Sequence, residues 1–214
     1  MASKAWRSVA ESPEIRDIRD DDGSDMSKPK TEEEIAAYTV GEVRPLTAPI
    51  SITDYDPAWP ALFEREAQRI RRSLGDQVVQ LEHVGSTSVP GLAAKPRIDI
   101  LLVVADSSDE AAYVSALEVE GYVLRIREPE WHEHRMLHGP DTDVNLHVFS
   151  RGCVEIERMV GFRDWLRTHD EDRALYERTK RELAAREWKF VQNYADAKTE
   201  VVAEILARAL VARS

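Results

Sequence analysis

The segment QVVQLEHVGSTSVPGLAAKPRIDILLVV, residues 77–104, predicts the centre of the fold. Two runs rich in β-branched residues, 78–84 and 98–104, predict strands, because apolar runs of this length bounded by turn residues are typical of buried strands. Between them lie two glycines, two prolines and three small hydroxyl residues, which predict a Gly-Ser turn and one short helix. The segment therefore predicts a strand, a turn with a short helix, and a second strand.

The Gly-Ser turn predicts an anion site. Gly85, Ser86 and Ser88 bring backbone N–H groups and hydroxyls to the start of a short helix, where the partial positive charge suits a phosphate or a carboxylate. Asp99 lies early on the second predicted strand, and Lys95 precedes it as a mobile cation. This arrangement predicts a nucleotide site with an acidic metal ligand. The same spacing also fits a tight turn, a helix cap and a solvated aspartate.

The remaining motifs extend this pattern along the chain. They are ITDYDPAWPALFEREAQRI at 52–70, EHVGSTSVPGLAAKPRIDI at 82–100, PEWHEHRM at 129–136, NLHVF at 145–149, FRDWLRTH at 162–169 and YADAKTEVVAEI at 194–205. In this order they resemble the GrpB family, which is similar to the polymerase-beta-like nucleotidyltransferases. The resemblance covers roughly residues 48–210. It is specific for the family and much less specific for an activity.

The resemblance implies a particular set of acidic residues. Polymerase-beta-like transferases carry an Asp-x-Asp pair on the strand after the Gly-Ser turn and a third acid on a later strand, and these carboxylates hold two divalent ions during in-line displacement. Here Arg97 stands at the first position, Asp99 at the second and Asn145 near the third. Asp99 is thus the implied catalytic residue and ligand of a divalent cation, Mg or Mn. The two missing acids oppose standard two-metal catalysis.

Histidines offer alternative ligands. On a strand over 131–138, His132, His134 and His138 would share one face, since side chains alternate with period two. One interpretation is a transition-metal site, because imidazole suits Zn, Mn or Ni; its candidate ligands beside Asp99 are His83, His134 and His147. The other interpretation is a partly exposed polar strand face. His134 and His147 match the family pattern best.

Three further residues are candidates for binding the phosphate. Arg135 can form a bidentate contact with a phosphate or carboxylate, or can pair with a nearby acid such as Glu133. Tyr194 and Lys198 are four residues apart, hence on one face of a helix. The resemblance implies that Lys198 faces the substrate. Packing of the tyrosine ring on the lysine stem at the surface is the alternative.

The whole chain predicts an α+β fold, a nucleotidyltransferase-like mixed sheet flanked by helices with a C-terminal helical segment. Helices are predicted from Asp56-Pro57 to Gly75 and over 107–121, strands over 50–52, 122–127, 131–138 and 144–149, and three helices from Cys153 onward, broken near His169 and Lys189. Residues 1–47 predict a flexible acidic tail, with a short helix over 32–38 capped by Thr31 and Glu34. Residues 48–214 are the predicted domain.

Composition limits the class of protein. The chain has 214 residues and a net charge of −11, which argues against non-specific binding of nucleic acid. A single cysteine, Cys153, rules out an internal disulfide and suits a reducing cytoplasm. No apolar run approaches the ~20 residues that a membrane span needs, and the N-terminus lacks the pattern of a signal peptide. The prediction is a cytoplasmic protein without a membrane partner.

Two functions follow from these observations. The first is a nucleotidyltransferase-like domain that binds a nucleotide or other small phosphate-bearing ligand and carries out metal-dependent nucleotidyl transfer. The second is a non-catalytic accessory or ligand-sensing module with a protein partner, since GrpB-like domains are found fused to dephospho-CoA kinase. A histidine-based metal hydrolase is a third interpretation and would require bound metal.

Overall fold

The computed structural model describes residues 30–212, and five strands in this range form one mixed sheet. The order across the sheet is β1–β2–β5–β4–β3, with bounds Gln80–Val84 (β1), Ile98–Val104 (β2), Val123–Glu128 (β3), His134–His138 (β4) and Val144–Ser150 (β5). Strands β2 and β5 are parallel, and the other neighbours are antiparallel. Both strands of the parallel pair are interior strands of the sheet, and the continuous apolar run of β2 is buried on both faces.

Seven α-helices accompany the sheet in the described range. They are α1 Glu32–Tyr38, α2 Trp59–Leu74, α3 Glu110–Val119, α4 Val154–Thr168, α5 Asp170–Ala184, α6 Val191–Asp196 and α7 Thr199–Val211. The predicted α+β fold, with one mixed sheet flanked by helices and a C-terminal helical segment, is confirmed. No helix among the described residues has the length and apolarity that crossing a bilayer requires.

The two faces of the sheet pack against different helices. One face, with Ile100, Leu102 and Leu146, packs against α2 and α3 and forms the main core. The other face packs against α4 through Leu101 and Phe149, close to Ile156. Helices α4, α5 and α7 form a further core around the residues that follow the Gly-Ser turn, Val89 and Leu92. The segment after the turn is thereby fixed between the sheet and the C-terminal helices.

Several predicted boundaries are wrong. Helix α2 begins at Trp59, because the Asp56 carboxylate accepts a hydrogen bond from the Ala58 N–H (2.8 Å) and forms a turn before the helix. Helix α3 begins at Glu110, because the buried hydroxyl of Ser107 donates to the Glu133 carbonyl (2.8 Å) instead of capping the helix. Residues 50–52 are not a strand; a single β-bridge joins Thr53 to Ala94.

Two predictions about later elements also fail. His132 and Glu133 have positive φ angles of 54° and 51°, so β4 starts only at His134 and His132 does not share a strand face with His134. The predicted breaks near His169 and Lys189 are present, but a further break at Lys198 separates α6 from α7. Tyr194 and Lys198 are therefore not on one continuous helix.

We call residues 30–47 the strap, and its middle part, residues 39–42, lies along the outer edge of β3. Its helix α1 has the predicted capping box, with mutual hydrogen bonds between Thr31 and Glu34. Val40 then donates to the Arg125 carbonyl (2.8 Å), beside a β-bridge from Thr39 to Ile126. The rest of the predicted tail, residues 1–29, lies outside the described residues. The domain boundary at residue 48 stays a prediction.

Candidate functional site

The site lies on the face of the sheet that packs against α4. Asp99 pairs in register with Asn145, and Leu101 pairs with His147, so the alternation of side chains places Asp99, Asn145 and His147 on the same face. His147 also pairs with Met136 on β4, which places His134 on that face as well. The sheet thus brings together residues that are far apart in sequence.

The Gly-Ser turn makes direct contact with Asp99. Gly85 has a φ angle of +68°, and a Cβ atom there would meet the Asp99 carboxylate and lie 2.9 Å from the Asp99 Cβ. Glycine is therefore required both by the backbone conformation and by the closeness of the aspartate. The Ser88 hydroxyl donates to the Gly85 carbonyl (2.6 Å) and closes the turn. Ser86 is less buried, and its side chain lies close to the phenol of Tyr176 on α5.

Asp99 is held as a carboxylate. Burial alone would raise its pKa, but the neighbouring His147, the Asn145 amide and the charge of Arg97 together lower the pKa below its usual value. The Asn145 Nδ2 donates to Asp99 Oδ1 at 2.9 Å, and His147 Nε2 lies 3.8 Å from the same oxygen. Asp99 is consequently ionised at neutral pH.

A row of hydrogen-bonded side chains continues from His147 across the sheet. His147 Nδ1 lies 3.1 Å from His134 Nε2, and His134 Nδ1 lies 2.7 Å from Glu128 Oε2. His134 is buried and stacks on Phe149 with ring centroids 4.8 Å apart. Burial lowers the pKa of His134 to about 4 in spite of the Glu128 carboxylate, so the ring is neutral at pH 7.

Three lysines converge next to the turn and Asp99. Burial lowers the pKa of Lys95 to about 8, with a further lowering by the cations Arg97 and Lys198. Burial lowers the pKa of Lys180 to about 7, and Lys198 lowers it further, whereas the charge of Asp99 raises the pKa of both lysines. Each shift reflects an ammonium group in a confined space close to another cation.

Lys180 is a further candidate site residue, and it was not predicted from the sequence. It is 2% exposed, its Nζ donates to the Ala93 carbonyl and lies 4.8 Å from the ring centre of Tyr176. A signal was present in the sequence, since Tyr176 and Lys180 are four residues apart and the lysine falls on the apolar face of an amphipathic helix. A lysine at such a position is rarely buried without a partner.

The structure does not bring all the predicted residues together. Arg135 points to the opposite face of the sheet, where it pairs with Glu110 (2.6 Å) and Glu133 (3.2 Å). His83 also faces away from Asp99 and stacks on Phe63, with ring centroids 4.8 Å apart. Burial lowers the pKa of His83 to about 4.

Lys198 and Tyr194 meet in spite of the helix break. The Lys198 Nζ lies 4.8 Å from the ring centre of Tyr194. Tyr194 is buried, with Ile50 and Leu183 as neighbours in its apolar cluster. The buried tyrosine ring therefore packs against the lysine side chain. Lys198 is the member of this pair that is close to Lys95 and Lys180.

The donors around Asp99 do not fit a two-metal site made of carboxylates. Arg97 pairs with Asp143 (2.7 Å) and directs a second N–H toward the Asn145 amide oxygen (3.4 Å), while Asn145 presents an N–H donor to Asp99. Within residues 30–212, no three His, Cys, Asp or Glu side chains are grouped as metal ligands. His147 is the metal-ligating type of side chain nearest to the Asp99 carboxylate. Hard divalent ions prefer several oxygen ligands, and the neighbouring positions supply a guanidinium and an amide.

Comparisons with known proteins agree on the family. The model described as GrpB protein matches residues 49–208. The UPF0157 protein of Halalkalibacterium halodurans is 61% identical over 186 residues, which cover 87% of this chain and 95% of the relative. The crystal structure of conserved protein GrpB from Enterococcus faecalis is similar, with a TM-score of 0.68 and 31% identity, covering 76% of this chain and 99% of that one.

A longer relative shares the same region. The dephospho-CoA kinase of Mycolicibacterium paratuberculosis is 28% identical over 167 residues. The match covers 65% of this chain and 40% of the kinase. This chain therefore spans less than half the length of that relative.

Proposed function

The chain belongs to the GrpB family, and we propose that this member binds a small phosphate-bearing ligand, of the class of the nucleoside triphosphates, between the Gly85–Ser86 turn and the three lysines 95, 180 and 198. The reaction that we propose for the bound nucleotide is transfer of its nucleotidyl group to an acceptor hydroxyl. The acceptor is a small molecule or a partner protein.

The convergence of three lysines carries this proposal. The protein has a net charge of −11, yet the charge of Lys198 lowers the pKa of both Lys95 and Lys180. Asp99 acts on both of these lysines in the opposite sense, together with Asp143 on Lys95 and Glu177 on Lys180. Burial and the neighbouring cations disfavour the ammonium forms of Lys95 and Lys180, and the nearby carboxylates offset only part of this cost. A polyphosphate would relieve both effects, and it would raise the pKa of Lys180 and Lys95 on binding.

The turn supplies the uncharged part of the proposed site. The Ser86 hydroxyl and the backbone N–H groups at the start of the short turn over 86–88 suit phosphate oxygens. Ser88 contributes by closing the turn rather than by contact with the ligand, since its hydroxyl is bound to Gly85. The arrangement favours a phosphate chain over an isolated carboxylate, because the lysines come from three separate segments.

A thermal-shift panel tests the proposal. Nucleoside triphosphates, pyrophosphate and inorganic phosphate are added with and without Mg²⁺, and the melting temperature is recorded. We expect at least one triphosphate to raise it, since a ligand at a hundredfold excess over Kd stabilises the native state by about 2.7 kcal/mol. Lys95→Gln combined with Lys198→Gln should weaken binding at least tenfold.

A matched variant serves as the control. Lys189→Gln removes an exposed lysine that pairs with Glu32 of the strap and lies outside the cluster. It should bind the triphosphate as the wild type does. Equal binding by the double variant and by the control would overturn the lysine site.

The second candidate function is an accessory module without catalysis. The replacement of two expected acids by Arg97 and Asn145 favours it, as does the kinase relative that contains a GrpB-like region. An accessory function predicts that none of the triphosphates changes the melting temperature. It also predicts that a full-length protein partner raises the melting temperature. A triphosphate that stabilises the protein through the three lysines decides against it.

A further inference from the structure

We propose that His147 is the proton acceptor of this site and that Glu128 and His134 are positioning residues that fix its tautomer. The inference concerns residues of three strands, β3, β4 and β5, and the hydrogen-bond chain that joins them. Its catalytic meaning rests on the proposed function, whereas the tautomer itself does not.

The order of hydrogen bonds determines which nitrogen of each ring carries a proton. The Glu128 carboxylate can only accept, so the His134 Nδ1 at 2.7 Å must be the donor. In a neutral ring the other nitrogen is then an acceptor, so His134 Nε2 accepts from His147 Nδ1 at 3.1 Å. In neutral His147 the remaining nitrogen, Nε2, therefore holds a free lone pair.

The burial of His134 favours this arrangement of protons on the two rings. The His134 side chain is 5% exposed, and its ring lies between Phe149 and Trp131, with centroid distances of 4.8 Å and 5.2 Å. An imidazolium at this position would lose hydration without a second carboxylate contact, so the neutral form is favoured. His134 thus transmits the orientation set by Glu128 to His147 as a neutral relay.

The Nε2 atom of His147 lies on the side of the ring that faces Asp99. The His147 side chain is 23% exposed, in contrast to His134, and its Nε2 lies 3.8 Å from Asp99 Oδ1. This separation is too long for a direct hydrogen bond, and a substrate hydroxyl beside the gap can donate to Nε2. Once Nε2 has taken up a proton, the imidazolium lies next to the Asp99 carboxylate and is stabilised by its charge.

The step that follows is a nucleotidyl transfer with His147 as general base. The proton of the acceptor hydroxyl moves to His147 Nε2, and the oxygen's electron pair forms a bond to the α-phosphorus. The bond between the α-phosphorus and its bridging oxygen breaks, and pyrophosphate leaves with that electron pair. The imidazolium then returns its proton to solvent. Such a base takes the role that a third carboxylate cannot take here, since Asn145 occupies that position.

The tautomer is measured by long-range ¹H–¹⁵N correlation NMR on the full-length protein labelled at histidine. We expect His147 in the wild type to be protonated at Nδ1 and unprotonated at Nε2. Glu128→Leu removes the acceptor that orders the chain, so it should convert His147 to a mixture of tautomers. Glu130→Leu, which changes an exposed acid two residues away, should leave the wild-type pattern.

Reactivity gives a second measurement. Diethyl pyrocarbonate modifies unprotonated imidazole nitrogens, and peptide mass mapping reports each histidine separately. His147 should react at least tenfold faster than His134, both of whose nitrogens are engaged, and Glu128→Leu should slow His147 several-fold. His147→Gln should abolish modification at that peptide and leave His138 unchanged.

Either of two results overturns the inference: a wild-type His147 protonated at Nε2, or a tautomer that does not change in a folded Glu128→Leu protein. An amide NMR spectrum of each variant confirms that it is folded. Neither measurement requires a ligand. A nucleotide panel without stabilisation would therefore contradict the proposed function and leave the His147 tautomer standing, and the reverse also holds.

Discussion

Gly85 and Asp99 show how much the site depends on one hydrogen atom in place of a side chain. The glycine carries the left-handed backbone conformation of the turn and gives the Asp99 carboxylate its space. A residue with a Cβ atom at this position would have both a strained backbone and a steric clash with Asp99. The turn and the aspartate are therefore a single structural unit.

Gly85→Ala separates these two effects when it is compared with Gly91→Ala. Gly91 also has a positive φ, +77°, but a Cβ there has no neighbour within 4 Å. We expect Gly91→Ala to cost about 1–2 kcal/mol of unfolding free energy, which is the backbone contribution. Gly85→Ala should cost at least about 1 kcal/mol more, because Asp99 must move. Urea denaturation of both variants measures the difference, and equal losses would contradict the contact.

For single residues, the sequence predicts the placement of some candidate site residues and not of others. The Gly-Ser turn and Asp99 were predictable, because turn chemistry and strand boundaries are local properties. The joint placement of His134 and Arg135 at one site was not, since adjacent strand residues point to opposite faces. The structure places His134 on the Asp99 face, and Arg135 pairs with Glu110 on the other. Lys180 required knowledge of which helix face is buried.

Helix α5 binds the backbone of Ala93 at both its N–H and its carbonyl. Glu177 accepts a hydrogen bond from the Ala93 N–H (3.0 Å), and Lys180 donates to the Ala93 carbonyl. One turn of helix separates the two side chains, so they form a clamp on the segment that follows the Gly-Ser turn. The clamp couples the position of α5 to that of the proposed phosphate site.

This clamp predicts a pH dependence of stability. Burial lowers the pKa of Lys180 from 10.5 to about 7, so between these values the unfolded chain binds a proton that the folded protein lacks. Stability therefore rises as the pH rises through this window, and the cost of the buried charge is fully present below about pH 7.

Lys180→Met should remove this contribution. From pH 7 to pH 9.5 the wild type should gain about 1–3 kcal/mol of unfolding free energy relative to the variant. Urea denaturation at the two pH values measures the gain, with Lys189→Met as the exposed control that keeps the wild-type dependence. A parallel pH dependence of wild type and Lys180→Met would show that the lysine is not protonated differently on folding.

Elements were predicted unevenly for physical reasons. The bounds of β2 were predicted correctly, because a continuous apolar run ends at the solvent-exposed Ala105. Helix starts were misplaced by two or three residues, since Asp56 and Ser107 form turn and tertiary hydrogen bonds that a capping pattern does not distinguish. The break at Lys198 has no glycine or proline to mark it.

In the whole molecule the strap covers the edge of β3, and the strap lies outside the region matched by the family model. The family match starts at residue 49, whereas the edge of β3 is occupied by Thr39 and Val40. A protein that begins at residue 48 should present an open strand edge with free N–H and C=O groups. We expect it to self-associate as its concentration rises, as measured by analytical ultracentrifugation.

A point variant separates this effect from the loss of chain length. Val40→Pro in the full-length chain removes the N–H that donates to Arg125 and keeps the rest of the strap. It should self-associate more weakly than the truncated protein and more strongly than the wild type. A truncated protein that stays monomeric up to millimolar concentration would show that the edge needs no cover.

At the scale of the molecule, fold and activity were not equally predictable. The alternation of strands and helices was sufficient for the α+β class, because periodicity depends on what is buried. The proposed activity depends on whether Asp99, His147 and the lysines meet in one place, and a fold alone does not fix a reaction.

The parallel pair β2–β5 has a consequence for how the protein folds. Asp99 and Asn145 touch across that pair although they are 46 positions apart, and the segment between them contains a helix and two other strands. Contacts of such long sequence separation form slowly, because the intervening chain must lose entropy before they stabilise the structure. We expect the hairpin of β4 and β5 to form earlier than the pairing with β2. The site would then be assembled in the last steps of folding, so that a newly made chain acquires its chemistry only once its central strands have closed.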